Sequence, residues 1–122
     1  MAAIKEDYCS QEVYRLLREK GFDGEIHTTF DKEGYTQASI TLQMAMKWLR
    51  EVHKLVITVS IGNENNKGNT DYSNPDRWFY FFDITNEKGV VIDTEYDPLS
   101  NEFPTYEEAC EAAIKYCLEH LI

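Results

Sequence analysis

Apolar and polar positions along this 122-residue chain change period abruptly near its middle. Over residues 42–54 a helical wheel gathers Leu42, Ala45, Met46, Leu49, Val52 and His53 on one stripe, with Lys47, Arg50 and Lys54 beside Gln43 on the far side. Met44 and Trp48, four residues apart, form a second narrow apolar strip between those faces. From Leu55 the period becomes two: Leu55, Ile57, Val59 and Ile61 point one way, and Val56, Thr58 and Ser60 the other. The pattern predicts a helix that feeds directly into a half-buried strand. Thr41 or Ser39 caps it, because either hydroxyl can accept from an unsatisfied backbone N–H.

The flanks complete an order α-β-β-α-β-β-β-α. A first helix is expected over residues 11–20, capped by Ser10, with Val13, Leu16 and Leu17 inward, Gly21 as a left-handed stop and Phe22 folding back. Ile26, Thr28 and Phe30 then alternate, Asp31-Lys32-Glu33-Gly34 reads as a turn, and residues 35–38 return as a second strand. Residues 62–76, with five asparagines and Pro75, are too polar to pack and read as either a long hairpin connection or a mobile loop. Residues 77–85 are the most β-prone of the chain: Trp78, Tyr80, Phe82 and Ile84 share one face and Phe79 and Phe81 the other, which predicts a central strand. Asn86-Glu87-Lys88-Gly89 repeats the earlier turn chemistry and hands over to a strand across 90–96. A last helix starts at the capping box Thr105 and Glu108, and buries Tyr106, Cys110, Ala113, Ile114, Cys117 and Leu121.

These elements fit one α+β domain spanning residues 1–122. It has two layers, with a mainly antiparallel sheet from residues 55–61, 77–85 and 90–96, helices 42–54 and 105–122 on one face, and the N-terminal hairpin beside it. No apolar run is long enough for a membrane helix and the start of the chain has no signal-peptide character, so a cytoplasmic protein is expected.

Charge changes this picture in one respect. The formal net charge is −10, and residues 87–122 carry nine acids against two lysines, whereas residues 41–61 carry three cationic side chains and one acid. An acidic surface repels phosphate backbones, so nucleic acid is a poor partner. A basic protein, a second copy of the chain, or imitation of DNA toward a host protein all remain open. Lys47, Arg50 and Lys54 then stand out as a basic stripe on an acidic molecule.

Candidate chemistry is sparse. Asp93, Glu95 and Asp97 alternate and would line one strand edge with carboxylates, the oxygen donors that hard cations favour, yet without the glycine punctuation of a calcium loop. They are the only residues that would support a metal-dependent enzyme. Cys117 and His120 are half of a zinc pattern whose other half has no signature. Cys110 and Cys117 lie about 10 Å apart along a helix, too far for a disulfide, and read as small buried hydrophobes. No serine elbow or phosphate-cradling glycine loop is present, and no cofactor is expected. The aromatic strand is the stronger signal: if helices leave part of the face carrying Trp78, Tyr80 and Phe82 uncovered, it becomes an oligomer or binding surface.

Two blocks, MAMKWLREVHKLVITV at 44–59 and TYEEACEAAIKYCLEHLI at 105–122, resemble short uncharacterised proteins encoded by bacteriophages and prophage-like elements of gut bacteria. That group carries no assigned activity, so the resemblance implies an origin and no catalytic or ligand residues. The strand followed by T-Y-E-E-A and a helix is also similar to the end of HicB-like antitoxin domains, although the helix at 42–54 does not match that family's opening strands. The reading that follows is a small acidic, non-enzymatic protein-interaction module of phage or mobile-element origin.

Overall fold

The computed structural model describes residues 7–63, 78–92 and 102–122. Its elements follow one another as α1 (Gln11–Glu19), β1 (His27–Phe30), β2 (Thr36–Ser39), α2 (Leu42–Val52), β3 (Val56–Asn63), β4 (Trp78–Thr85) and α3 (Tyr106–Tyr116), which widens into a π-helical turn at Cys117–Leu121. The fold is α+β, with three helices and two antiparallel sheets of two strands each among the described residues.

Helix ends are set by local chemistry. Ser10, Thr41 and Thr105 are the N-caps, and each hydroxyl accepts a backbone N–H three residues on, from Val13, Met44 and Glu108 at 3.3, 3.1 and 3.1 Å. After α1, Gly21 takes φ +90° while the Phe22 and Gly21 N–H groups donate to the carbonyls of Leu17 and Arg18. This Schellman closure turns Phe22 back into the core. The two look-alike turns share one hydrogen-bond pattern. The Asp31 carboxylate accepts from the N–H groups of Glu33 and Tyr35, and the Asn86 carbonyl oxygen from those of Lys88 and Val90, with Gly34 and Gly89 at positive φ.

Helices α2 and α3 cover one face of the β3–β4 pair, and α1 packs on α3. The core gathers Val13 and Leu17 from α1, Ala45 and Leu49 from α2, Phe82 and Ile84 from β4, and Cys110, Ile114 and Leu118 from the last helix. The β1–β2 hairpin stands apart as its own sheet. It is tied to the start of the chain by the Gln11 side chain donating to the Ala38 carbonyl and the Ser39 hydroxyl to that of Cys9.

Three expectations of burial are corrected. Val52, expected inside, is 56% exposed, while Trp48, expected on a side strip, is only 7% exposed because Phe22 and His53 close on its ring edge-on at 5.6 and 4.7 Å. Tyr106 is likewise exposed at the start of α3. Of the expected third strand at 90–96 the described residues are 90–92, where Val91 bridges to Thr85 and the Ile92 N–H donates to the Ile84 carbonyl at 2.7 Å. Residues 93–96 lie outside the described residues, as do residues 64–76 of the polar connection.

Candidate interaction surface

The register of β3 on β4 pairs Val56 with Thr85, Thr58 with Asp83, Ser60 with Phe81 and Gly62 with Phe79. Directly opposite residues share a face, so these eight form one side of the sheet and Ile57, Val59, Ile61, Tyr80, Phe82 and Ile84 belong to the other. The second side is the one that α2 and α3 cover. Cover is complete only at its inner end. Phe82 is 1% exposed and lies beside Phe103 with ring centroids 5.9 Å apart, Tyr80 is half-buried and edge-on to Tyr106, and Trp78 is 41% exposed. The expected surface of Trp78, Tyr80 and Phe82 is therefore corrected at Phe82, which is core. Alternation identifies which residues share a face, and α3 decides how far along the strand that face is covered.

On the opposite side Phe79 and Phe81 are half-buried, with centroids 6.2 Å apart, beside exposed Val56, Thr58 and Asp83. Phe79 lies flat over Gly62: a Cβ there would come within 2.7 Å of the ring, so the glycine makes room for the aromatic. Beyond β4, Tyr80 exchanges both backbone bonds with Phe103. Among the described residues β3 pairs with β4 alone, and its outer edge is open.

The basic stripe is present as expected on the solvent side of α2: Lys47, Arg50 and Lys54 are exposed. Lys54 donates to the Glu51 carbonyl at 2.8 Å. Among the described residues, no ion pair links Lys47 or Arg50 to an acid, so the stripe is not neutralised by Glu107, Glu108 or Glu111 of α3. Lys54 also has φ +57°, in the left-handed region that usually belongs to glycine, where α2 turns into β3. Next to it His53 ends α2, with its backbone N–H on the Leu49 carbonyl; its buried Nε2 has no hydrogen-bond partner among the described residues.

A groove of about 380 Å³ between the start of α1 and α3 contains Glu12, Glu108, Glu111 and Lys115. There the Glu111 carboxylate accepts the Ser10 N–H at the N-terminus of α1, and Lys115 reaches Glu12 at 2.9 Å, so the charges join two helices of the same chain. The cysteines offer no nucleophile: all three are buried, and burial pushes the Cys9 and Cys117 thiols up to about 12 and that of Cys110 in the same direction. Asp93, Glu95 and Asp97 lie outside the described residues. Among the described residues no three His, Cys, Asp or Glu side chains come together as a metal site, and no helix is long and apolar enough to cross a membrane.

Comparison of the chain with protein-family models, with curated proteins and with solved structures returns no match.

Proposed function

We propose that the chain is a small acidic, non-enzymatic protein-interaction module of phage or mobile-element origin, and that it binds through the β3 side of its main sheet. One observation carries this reading: the outer edge of β3 is an eight-residue strand with no pairing partner among the described residues. An extended backbone with unpaired N–H and C=O groups is a template for another strand, and the neighbouring side chains supply selectivity. Val56, Thr58, Phe79 and Phe81 lie next to that edge and give it partly apolar cover. On the far side of β4, Val91, Ile92 and Phe103 already bond to its backbone, which leaves β3 as the docking side.

The DNA-like alternative draws less support. Of the acids on α3 and its π-helical turn, Glu111 is used to cap α1 and Glu119 shares Lys115 with Glu12. A metal-dependent enzyme rests on Asp93, Glu95 and Asp97 and gains no further observation.

A photo-crosslinking amino acid at Thr58, compared with one at Glu19 on the exposed face of α1, tests the proposal in the host bacterium. Covalent protein adducts at position 58 that are missing at position 19 are expected. Equal, background-level labelling at both positions would contradict it.

A further inference from the structure

The inference rests on the interaction-module reading and names the partner. Which groups β3 presents follows from the bonds β4 makes on its far side. Tyr80 donates to and accepts from Phe103, both at 2.8 Å, and the Ile84 carbonyl accepts from Ile92, so these residues of β4 turn their backbone groups away from β3. In an antiparallel pair, opposite residues either both bond across or both point away. Ile61 and Ile57 lie opposite Tyr80 and Ile84, and Val59 lies between them at the same parity. Ile57, Val59 and Ile61 therefore direct their N–H and C=O groups to the open edge, where none meets a backbone partner among the described residues.

The sequence of this edge reads alike in both directions. On either side of Val59 stands a β-hydroxyl residue, Thr58 or Ser60, and beyond each stands an isoleucine, Ile57 or Ile61. Two such strands laid antiparallel about Val59 bring Val59 against Val59, Ile57 against Ile61 and Thr58 against Ser60. The three outward-facing residues of each strand then meet as hydrogen-bonded pairs, exchanging both backbone bonds at every pairing. Side-chain faces also match: apolar pairs fall on the helix-covered side and Thr–Ser pairs on the open side, both favourable cross-strand combinations. Ile61, 46% exposed in the single chain, gains Ile57 of the second copy as a neighbour.

Two further features fit. Val56–Asn63 has no lysine, proline or other charged residue, the usual devices that keep an edge strand from pairing. Copies that each carry a net charge of −10 repel one another, and the strand is both uncharged and preceded by the basic stripe of α2, so the chains approach where repulsion is least.

We propose that β3 is a self-pairing edge: two copies of this chain join antiparallel about Val59 and merge their β3–β4 pairs into one sheet of order β4-β3-β3-β4. The arrangement is a two-fold isologous contact. It is small for a protein interface, so the dimer is exchangeable and concentration-dependent.

Sedimentation velocity over a wide concentration range tests it, with circular dichroism and thermal melts confirming that each variant folds. Wild type is expected to shift from monomer to dimer. Ile61→Pro removes an outward N–H without touching the β4 ladder and is expected to weaken the dimer at least about tenfold. Thr58→Glu with Ser60→Glu sets carboxylates against each other across the pair and should dissociate it to a similar degree. Thr58→Lys with Ser60→Glu sets opposite charges together and should keep it. A wild type that stays monomeric throughout overturns the proposal, as does a dimer that all three variants leave unchanged. In the monomeric case, adducts of the Thr58 crosslinker with a different protein would leave the interaction-module reading standing; no adducts would remove both.

Discussion

Lys54 carries the clearest local strain in the chain. Among the described residues it alone, apart from glycines, has a positive φ, and it holds the turn through which α2 passes into β3. A lysine Cβ in that region crowds the following carbonyl oxygen, a cost that glycine does not have. Lys54→Gly is therefore expected to raise stability by about 1 kcal/mol in urea unfolding, since the relief of strain exceeds the added freedom of the unfolded chain. A lower midpoint would show that the Lys54 side chain, through its bond to the Glu51 carbonyl, holds the junction more than the backbone strains it.

At the scale of elements, what the sequence makes legible is chemistry that acts within a few residues. Ser10, Thr41 and Thr105 start helices because their hydroxyls reach the third N–H on, and Gly21, Gly34 and Gly89 end or reverse segments because they accept positive φ. None of this needs tertiary structure. Trp48 and Val52 show where such reasoning stops. The wheel sets Val52 inside and Trp48 on a side strip, but Trp48 is enclosed by Phe22, which arrives from a separate helix ending, and Val52 is left 56% exposed. Phe82 and Trp78 repeat the lesson along β4, where α3 shields one end of a face and not the other. The outward groups of β3 were still less legible, because they depend on register with β4 and on its bonds to Phe103 and Ile92. The contrast is measurable. Trp48→Ala should cost about 3–5 kcal/mol because it empties a closed site, whereas Val52→Ala should stay within about 0.5 kcal/mol. Comparable losses from the two would contradict the packing described for α2.

For the whole molecule, three buried thiols set a limit on alkaline stability. In the unfolded chain a cysteine ionises near its ordinary value of 9.0, whereas burial holds Cys9 and Cys117 protonated up to about 12. Between these values the folded state binds more protons than the unfolded state, so the contribution of each thiol is fully present below pH 9.0 and is lost as pH rises toward about 12. Unfolding free energy is expected to fall progressively above that lower limit, and Cys117→Ala, less stable at neutral pH, should show a shallower fall. A variant slope equal to that of wild type would exclude the thiol as the cause.

The proposed association of this acidic chain runs through the uncharged, two-way-reading strand at the edge of its main sheet. The most direct measurement is residue-resolved amide hydrogen exchange by NMR as a function of protein concentration. Thr58 and Ser60, which bond to β4, should be protected at every concentration; Ile57, Val59 and Ile61, which point outward, should exchange rapidly in dilute solution and slow together as concentration rises. Exchange at Ile57, Val59 and Ile61 that stays rapid at all concentrations would contradict the account.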